Sequence, residues 1–140
     1  MEWRINDYSK YSSFIWNTEQ RFNLPANMLA IVLWQASKYD PAHIAGTGRN
    51  PIGVIGIGNL TLADCRTLWN GADRRTDPLA SIAGAGRLLR DRFREFNDWK
   101  LALAAYHSDS NSVRNHMRKH VPMPFRAVDY VQQVAAHCRI

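Results

Sequence analysis

Leu29-Ala-Ile-Val-Leu-Trp-Gln-Ala-Ser-Lys-Tyr-Asp-Pro41 is the stretch on which the architecture turns. From Met28 to Trp34 it is apolar on every side, yet far shorter than the roughly twenty residues needed to span a bilayer. A helix that is apolar all round but too short for a membrane belongs in a protein core. Pro25 suits its first turn, where a missing N–H costs nothing. The helix then runs through Met28, Ile31, Val32, Gln35 and Ala36. It is expected to stop near Asp40-Pro41, because a residue before proline is pushed out of helical dihedrals.

Working outward, the periodicity stays helical on both sides. Ile15, Trp16, Glu19 and Phe22 predict a preceding helix that Asn23 and Pro25 end. Between Pro41 and Asn59 the pattern vanishes, and Gly46, Gly48, Gly53, Gly56 and Gly58 crowd together. This predicts a loop, with a short strand over Ile52 to Ile57. Thr61 and Asp64 cap the next helix, which ends at Asn70-Gly71. Asp77-Pro78 opens the longest one, with Leu79, Ile82, Ala83, Gly86, Leu89 and Phe93 facing inward and Arg87, Arg90 and Arg94 along another stripe. Asn97-Asp98 caps a helix carrying Trp99, Ala102, Leu103 and Tyr106. Two more are expected, Ser110 to Lys119 and Pro124 to Cys138, the last with Val128, Val131, Val134 and Ala135 inward. The reading is about seven helices around one core, a single domain over residues 1–140, with the glycine-rich loop beside them.

A chain of 140 residues can bury a core without disulfides or metal. Cys65 and Cys138 are far apart and lack ligand spacing, so both are expected to be reduced. His116 and His120 share a helix face at i, i+4, but no third ligand lies nearby, so no metal site is expected. Glu2, Arg4 and Asp7 interrupt the N-terminus, which therefore reads as cytoplasmic with no secretory apolar core. The net charge of +6 favours a polyanionic partner: nucleic acid, an anionic membrane surface or a cell wall.

Three segments then matter together: Leu29 to Pro41 above, Gly53-Val-Ile-Gly-Ile-Gly-Asn-Leu-Thr61, and Ala102-Leu-Ala-Ala-Tyr-His107. In order and spacing they resemble the three signature segments of the soluble lytic transglycosylases, lysozyme-like enzymes that cleave peptidoglycan. There the segments read Glu-Ser at a helix end, Gly-Leu-Met-Gln in a turn and Ala-Tyr-Asn on a helix. Pro122 to Val134, with Tyr130-Val131, resembles the family's last element, and the likeness covers roughly Ile15 to Val134. It implies an all-α class, mainly helical in the α+β lysozyme-like manner, with a short hairpin beside a glycan cleft. It also implies cleavage of the β-1,4 bond between N-acetylmuramic acid and N-acetylglucosamine to a 1,6-anhydro product, without cofactor or metal.

Ala36 stands where that family carries its catalytic glutamate, Asn59 where it carries glutamine, and His107 where it carries asparagine. A glycosidic oxygen is a poor leaving group and needs a proton as the bond breaks. The family uses one glutamate as acid and then base, and alanine can donate nothing. The resemblance therefore implies a chain that binds glycan but does not cleave it. Asp40 is the nearest candidate replacement, although Pro41 argues that the helix has ended by then. Intact neighbours Gln35, Ser37, Tyr39 and Asp40-Pro41 favour an engineered substitution; the Asn59 and His107 departures favour a natural relic.

By the same resemblance Ser37 would hydrogen-bond near the acid position and Tyr130 would aim its hydroxyl there. Gln35 would contact substrate and Asn59 would meet an N-acetyl group. Tyr106 would line the cleft floor and His107 would replace the asparagine. Ile57 and Gly58 would shape the groove wall, and Thr47 is a candidate for the serine often found before the turn. Partners implied are peptidoglycan or chito-oligosaccharide, met by a monomer without membrane insertion. A phage or bacterial muralytic protein, reaching the wall after lysis or in a virion, would suit this reading. Two rivals stay open. One is a nucleic-acid-binding protein using Arg74-Arg75, the arginine stripe and Arg114, Arg118 and Lys119, although no recognition-helix pattern is present. The other is a virion or secretion scaffold that keeps the fold.

Overall fold

The computed structural model describes residues 10–45, 54–138 and 140. Among these are seven helices: α1 (Ser12–Arg21), α2 (Met28–Ser37), α3 (Leu62–Trp69), α4 (Pro78–Phe96), α5 (Trp99–His107), α6 (Ser110–Lys119) and α7 (Phe125–Ala135). The decisive stretch is indeed the centre: Met28 through Leu33 are all buried. α4 lies along α5 and against α1 and α2, while α5 also packs on α6 and α7.

The expectation of an α+β fold is corrected. Strand structure among the described residues amounts to β1 (Ile44–Ala45) paired antiparallel with β2 (Val54–Ile55), in the register Ile44 to Ile55 and Ala45 to Val54. Two residues a side give no sheet face to pack, so the architecture is all-α. Glu2, Arg4, Asp7, Gly46, Thr47, Gly48, Ile52 and Gly53 lie outside the described residues.

Helix boundaries follow local chemistry. Thr61 and Asp64 form a reciprocal capping box at α3. Asp77, Asp98 and Asp109 each accept backbone N–H groups at the starts of α4, α5 and α6. α2 starts at Met28 rather than Pro25, because Asn27 adopts a left-handed φ of 71° and breaks continuity. Its other end comes at Ser37, where Lys38 and Tyr39 take φ of 52° and 60°. Two inward assignments are corrected: Leu79 is 47% exposed and Val128 40% exposed, each lying on the edge of its helix's buried stripe.

Since Asn27 offers no side-chain cap, α2 is capped from another helix. Buried Glu19 of α1 accepts the N–H groups of Asn27 (3.3 Å), Leu29 (2.9 Å) and Ala30 (3.2 Å). An orphaned helix start in the core is thereby satisfied. Burial pushes the Glu19 carboxyl above its usual value, only partly offset by the three donors. Replacing Glu19 with alanine strands these buried donors and is expected to cost about 2–4 kcal/mol in urea unfolding. A raised folded pKa means that Glu19's contribution is fully present below its unfolded pKa of 4.5 and declines as pH rises through the folded value. The stability gap between the parent and Glu19→Ala should therefore be wider near pH 4 than near pH 7.

Candidate functional site

The chain after β2 must cross between the end of α2 and the start of α4, and it does so with almost no space. Gly56 has φ +86°, and a Cβ there would lie 1.9 Å from the Arg75 carbonyl oxygen. At Gly58 a Cβ would lie 2.9 Å from Ser81 Oγ and 3.0 Å from its carbonyl oxygen. The Gly58 N–H donates to Ser81 Oγ at 2.9 Å. From the other side Ser37, 5% exposed, donates its hydroxyl to the Ile57 carbonyl at 2.7 Å. Arg75 is buried, grips Asp73 through Nε and an Nη at 2.9 and 2.8 Å, and donates to the Leu60 carbonyl at 3.3 Å. Its guanidinium holds the Asp73 carboxyl down at about 2.

This clamp sets Asn59, with a left-handed φ of 55°, on the edge of a groove of about 760 Å³. Asparagine tolerates that conformation better than most residues. The floor and walls come mainly from α2, the turn, α5 and α7, with Ala63 and Asp64 of α3 and Leu88 and Arg92 of α4 completing them. α2 supplies Gln35 and Ala36, the turn supplies Gly58 to Thr61, α5 supplies Tyr106 and His107, and α7 supplies Arg126 and Tyr130. Residues separated by nearly a hundred positions thus share one surface. Asn59 Oδ1 is buried there with no hydrogen-bond partner among the described residues. A buried amide oxygen left unpaired is uncommon and costly, and a ligand N–H would satisfy it.

Tyr106 donates to the Gly58 carbonyl across a long 3.4 Å. Burial, with a smaller contribution from Asp64, raises its phenol; burial, then Tyr106 and Cys138, raises that of Tyr130. Both phenols therefore stay protonated and able to donate. His107 stacks on Tyr130 with centroids 4.4 Å apart and planes 15° from parallel. Burial and then the Arg126 charge push its imidazole below the ordinary value, so the stacked ring is neutral near pH 7.

Of the sequence-predicted site residues, Gln35, Ala36, Gly58, Asn59, Tyr106, His107 and Tyr130 meet in this groove. Two do not. Ile57 is fully buried in the main core, so its side chain shapes no wall. Ser37 faces the turn beneath the groove, holding it in place. Asp40 accepts the Ala42 N–H at 2.9 Å in a local turn and does not line the groove. Sequence reading missed Arg92, Asp109, Phe125, Arg126, Asp129 and Gln133, all of which line it. For two of the α7 residues a signal existed: Arg126 and Gln133 sit four before and three after Tyr130, hence on its face.

With the geometry in hand, comparison with known proteins becomes specific. The transglycosylase SLT domain family model matches residues 13–123. The chain belongs to that family. It is also 32% identical over 124 residues to the membrane-bound lytic murein transglycosylase F 2 of Alkalilimnicola ehrlichii, covering 84% of this chain. The match takes in only 24% of that relative's length.

The cationic features that suggested nucleic acid look different in three dimensions. Arg74 pairs with Asp77, buried Arg75 with Asp73, Arg87 and Arg90 with Asp91, and Arg114 with Glu95, whereas Arg94, Arg118 and Lys119 have no ion pair among the described residues. His116 Nδ1 is engaged by the Val121 carbonyl at 2.8 Å. No helix among the described residues is long and apolar enough to cross a membrane.

The clamp makes a measurable demand on Gly56. Alanine there must relieve both the positive φ and the collision with Arg75 backbone. Gly56→Ala is expected to lose at least about 2 kcal/mol in denaturant unfolding, far more than alanine at exposed Gly71, which meets nothing within 4 Å.

Proposed function

We propose that this domain binds peptidoglycan glycan strands in the groove, in the manner of a lytic transglycosylase that lacks its proton donor. The observation that carries the reading is the position of Ala36. It lies at the penultimate residue of α2, half-exposed in the groove that also holds Asn59, Tyr106 and Tyr130. A glutamate side chain at that point would enter a partly apolar recess, which favours the neutral acid that general-acid chemistry requires.

With such a residue the reaction balances simply. The carboxyl proton passes to the glycosidic oxygen as the bond from the N-acetylmuramic acid C1 breaks. The resulting carboxylate takes the proton of the sugar's own C6 hydroxyl while its oxygen bonds to C1, closing the 1,6-anhydro ring and regenerating the acid. Asn59 Oδ1 would accept the N–H of an acetamido group, and the Tyr106 and Tyr130 hydroxyls would donate to sugar oxygens. Alanine leaves that binding apparatus in place. Among the cations that suggested nucleic acid, Arg74, Arg87, Arg90 and Arg114 pair with carboxylates while Arg94, Arg118 and Lys119 have no ion pair among the described residues, so the unpaired charge is too scattered to favour a nucleic-acid face over the groove.

The test is Ala36→Glu. Restoring the acid should raise the rate of clearing of purified peptidoglycan by about 10²- to 10⁴-fold over the parent. Mass spectrometry should find 1,6-anhydro ends. Clearing by neither protein, together with no binding of glycan by the parent in calorimetry, would sink the proposal.

A further inference from the structure

Seven large apolar side chains are exposed among the described residues, and four of them, Met117, Val121, Phe125 and Val128, lie around the junction of α6 and α7. The groove accounts for one only: Phe125 lines it, whereas Met117, Val121 and Val128 do not. On α6 the apolar stripe outruns the core. Val113 is fully buried, Met117 one turn further along the same face is 50% exposed, and Val121, just past the helix, is 47% exposed. His116 Nδ1 meets the Val121 carbonyl at 2.8 Å, which holds the connection against the last turn of α6. Pro122 and Pro124 stiffen the approach to α7, where Phe125 and Val128 are neighbours at i, i+3.

The same stretch contains no acid. From Ser110 to Val128 there is no Asp or Glu, but there are Arg114, Arg118, Lys119 and Arg126, with His116 and His120 among them. Arg114 is committed to Glu95, while Arg118, Lys119 and Arg126 are exposed and have no ion pair among the described residues. The carboxylates that border the stretch are engaged. Asp109 caps α6, Asp129 accepts from Gln133 Nε2 at 2.8 Å, and Glu95 is shared by Arg92 and Arg114. A second copy of this chain would bring the same unpaired cations and be repelled. A nucleic acid would meet the charges but leave Met117, Val121 and Val128 in water. An anionic bilayer surface satisfies both, since apolar side chains enter the acyl boundary while cations meet the headgroup phosphates.

We propose that the α6–α7 junction, from Met117 to Val128, docks on an anionic phospholipid surface. Met117, Val121 and Phe125 enter the interface, and Arg118, Lys119 and Arg126 lie at the level of the headgroups. The contact is peripheral, as no helix among the described residues is long and apolar enough to cross a membrane. It does not depend on what the groove binds. Because Phe125 and Arg126 belong to both surfaces, a docked domain holds the α7 rim of its groove beside the membrane.

Sedimentation with vesicles tests this on the chain as it stands. Phosphatidylcholine vesicles containing about 30% phosphatidylglycerol should bind it at least about tenfold more tightly than pure phosphatidylcholine, with the advantage shrinking between about 50 and 500 mM salt. The double variant Arg118→Gln, Lys119→Gln should weaken binding to the anionic vesicles roughly twentyfold. Met117→Ser and Val121→Ser should each weaken it about fivefold. Arg94→Gln, which removes an unpaired cation on α4, should leave it unchanged. All five side chains are exposed, and thermal melts should coincide with that of the parent. Equal affinity for the two kinds of vesicle, or full affinity in the double variant, would overturn the proposal. So would a loss in the double variant with none in Met117→Ser and Val121→Ser, since the surface would then serve any polyanion and should bind single-stranded DNA as well as lipid.

Discussion

One clamp organises the molecule: a turn of five residues, Gly56 to Leu60, gripped by Ser37 from α2, Ser81 from α4 and Arg75 from the α3–α4 connection. Each grip uses a buried polar group whose loss would leave a partner unsatisfied, so the three stand or fall with the packing around them. Fixing this turn fixes Asn59 relative to position 36. Without it the end of α2 would face open solvent, and Tyr106 would have no Gly58 carbonyl to meet.

Once the turn is held, the groove acquires a chemical gradient. At its floor two phenols stay protonated, and at its edge a buried amide oxygen stays unpaired, so hydrogen-bonding capacity is stored along the groove. At its α7 rim a ring and a guanidinium are exposed. Ala36 lines the same groove with a side chain that neither donates nor accepts a hydrogen bond. The groove's donors and acceptors are held by the turn, α5 and α7, and do not depend on a carboxylate at α2 for their positions.

Most of the helices were legible in the sequence because periodicity and local capping marked them out. Asp77-Pro78, the Thr61–Asp64 box and the all-round apolar run from Met28 act within a few residues, and such local chemistry survives without tertiary context. The α+β expectation came from family likeness rather than from the residues, and two paired dipeptides do not sustain it. Arg74-Arg75 looked like one basic doublet, yet Arg74 is exposed and Arg75 is buried as a strut. Ile57 resembled a wall residue by motif position, but a one-residue step from Gly58 is enough to turn its side chain into the core.

The amino-acid order by itself determined the helix count, the caps, the burial of α2 and the coincidence of three motifs with an alanine where an acid is expected. All of these are set by contacts along the chain or by the type of a single side chain. Tertiary structure alone decided that Glu19 caps a helix it does not belong to, that Ser37 braces the turn from α2, and that Phe125 and Arg126 share the groove with Ala36. Those pairings join positions distant in sequence, and only the packing angles between helices bring them within reach.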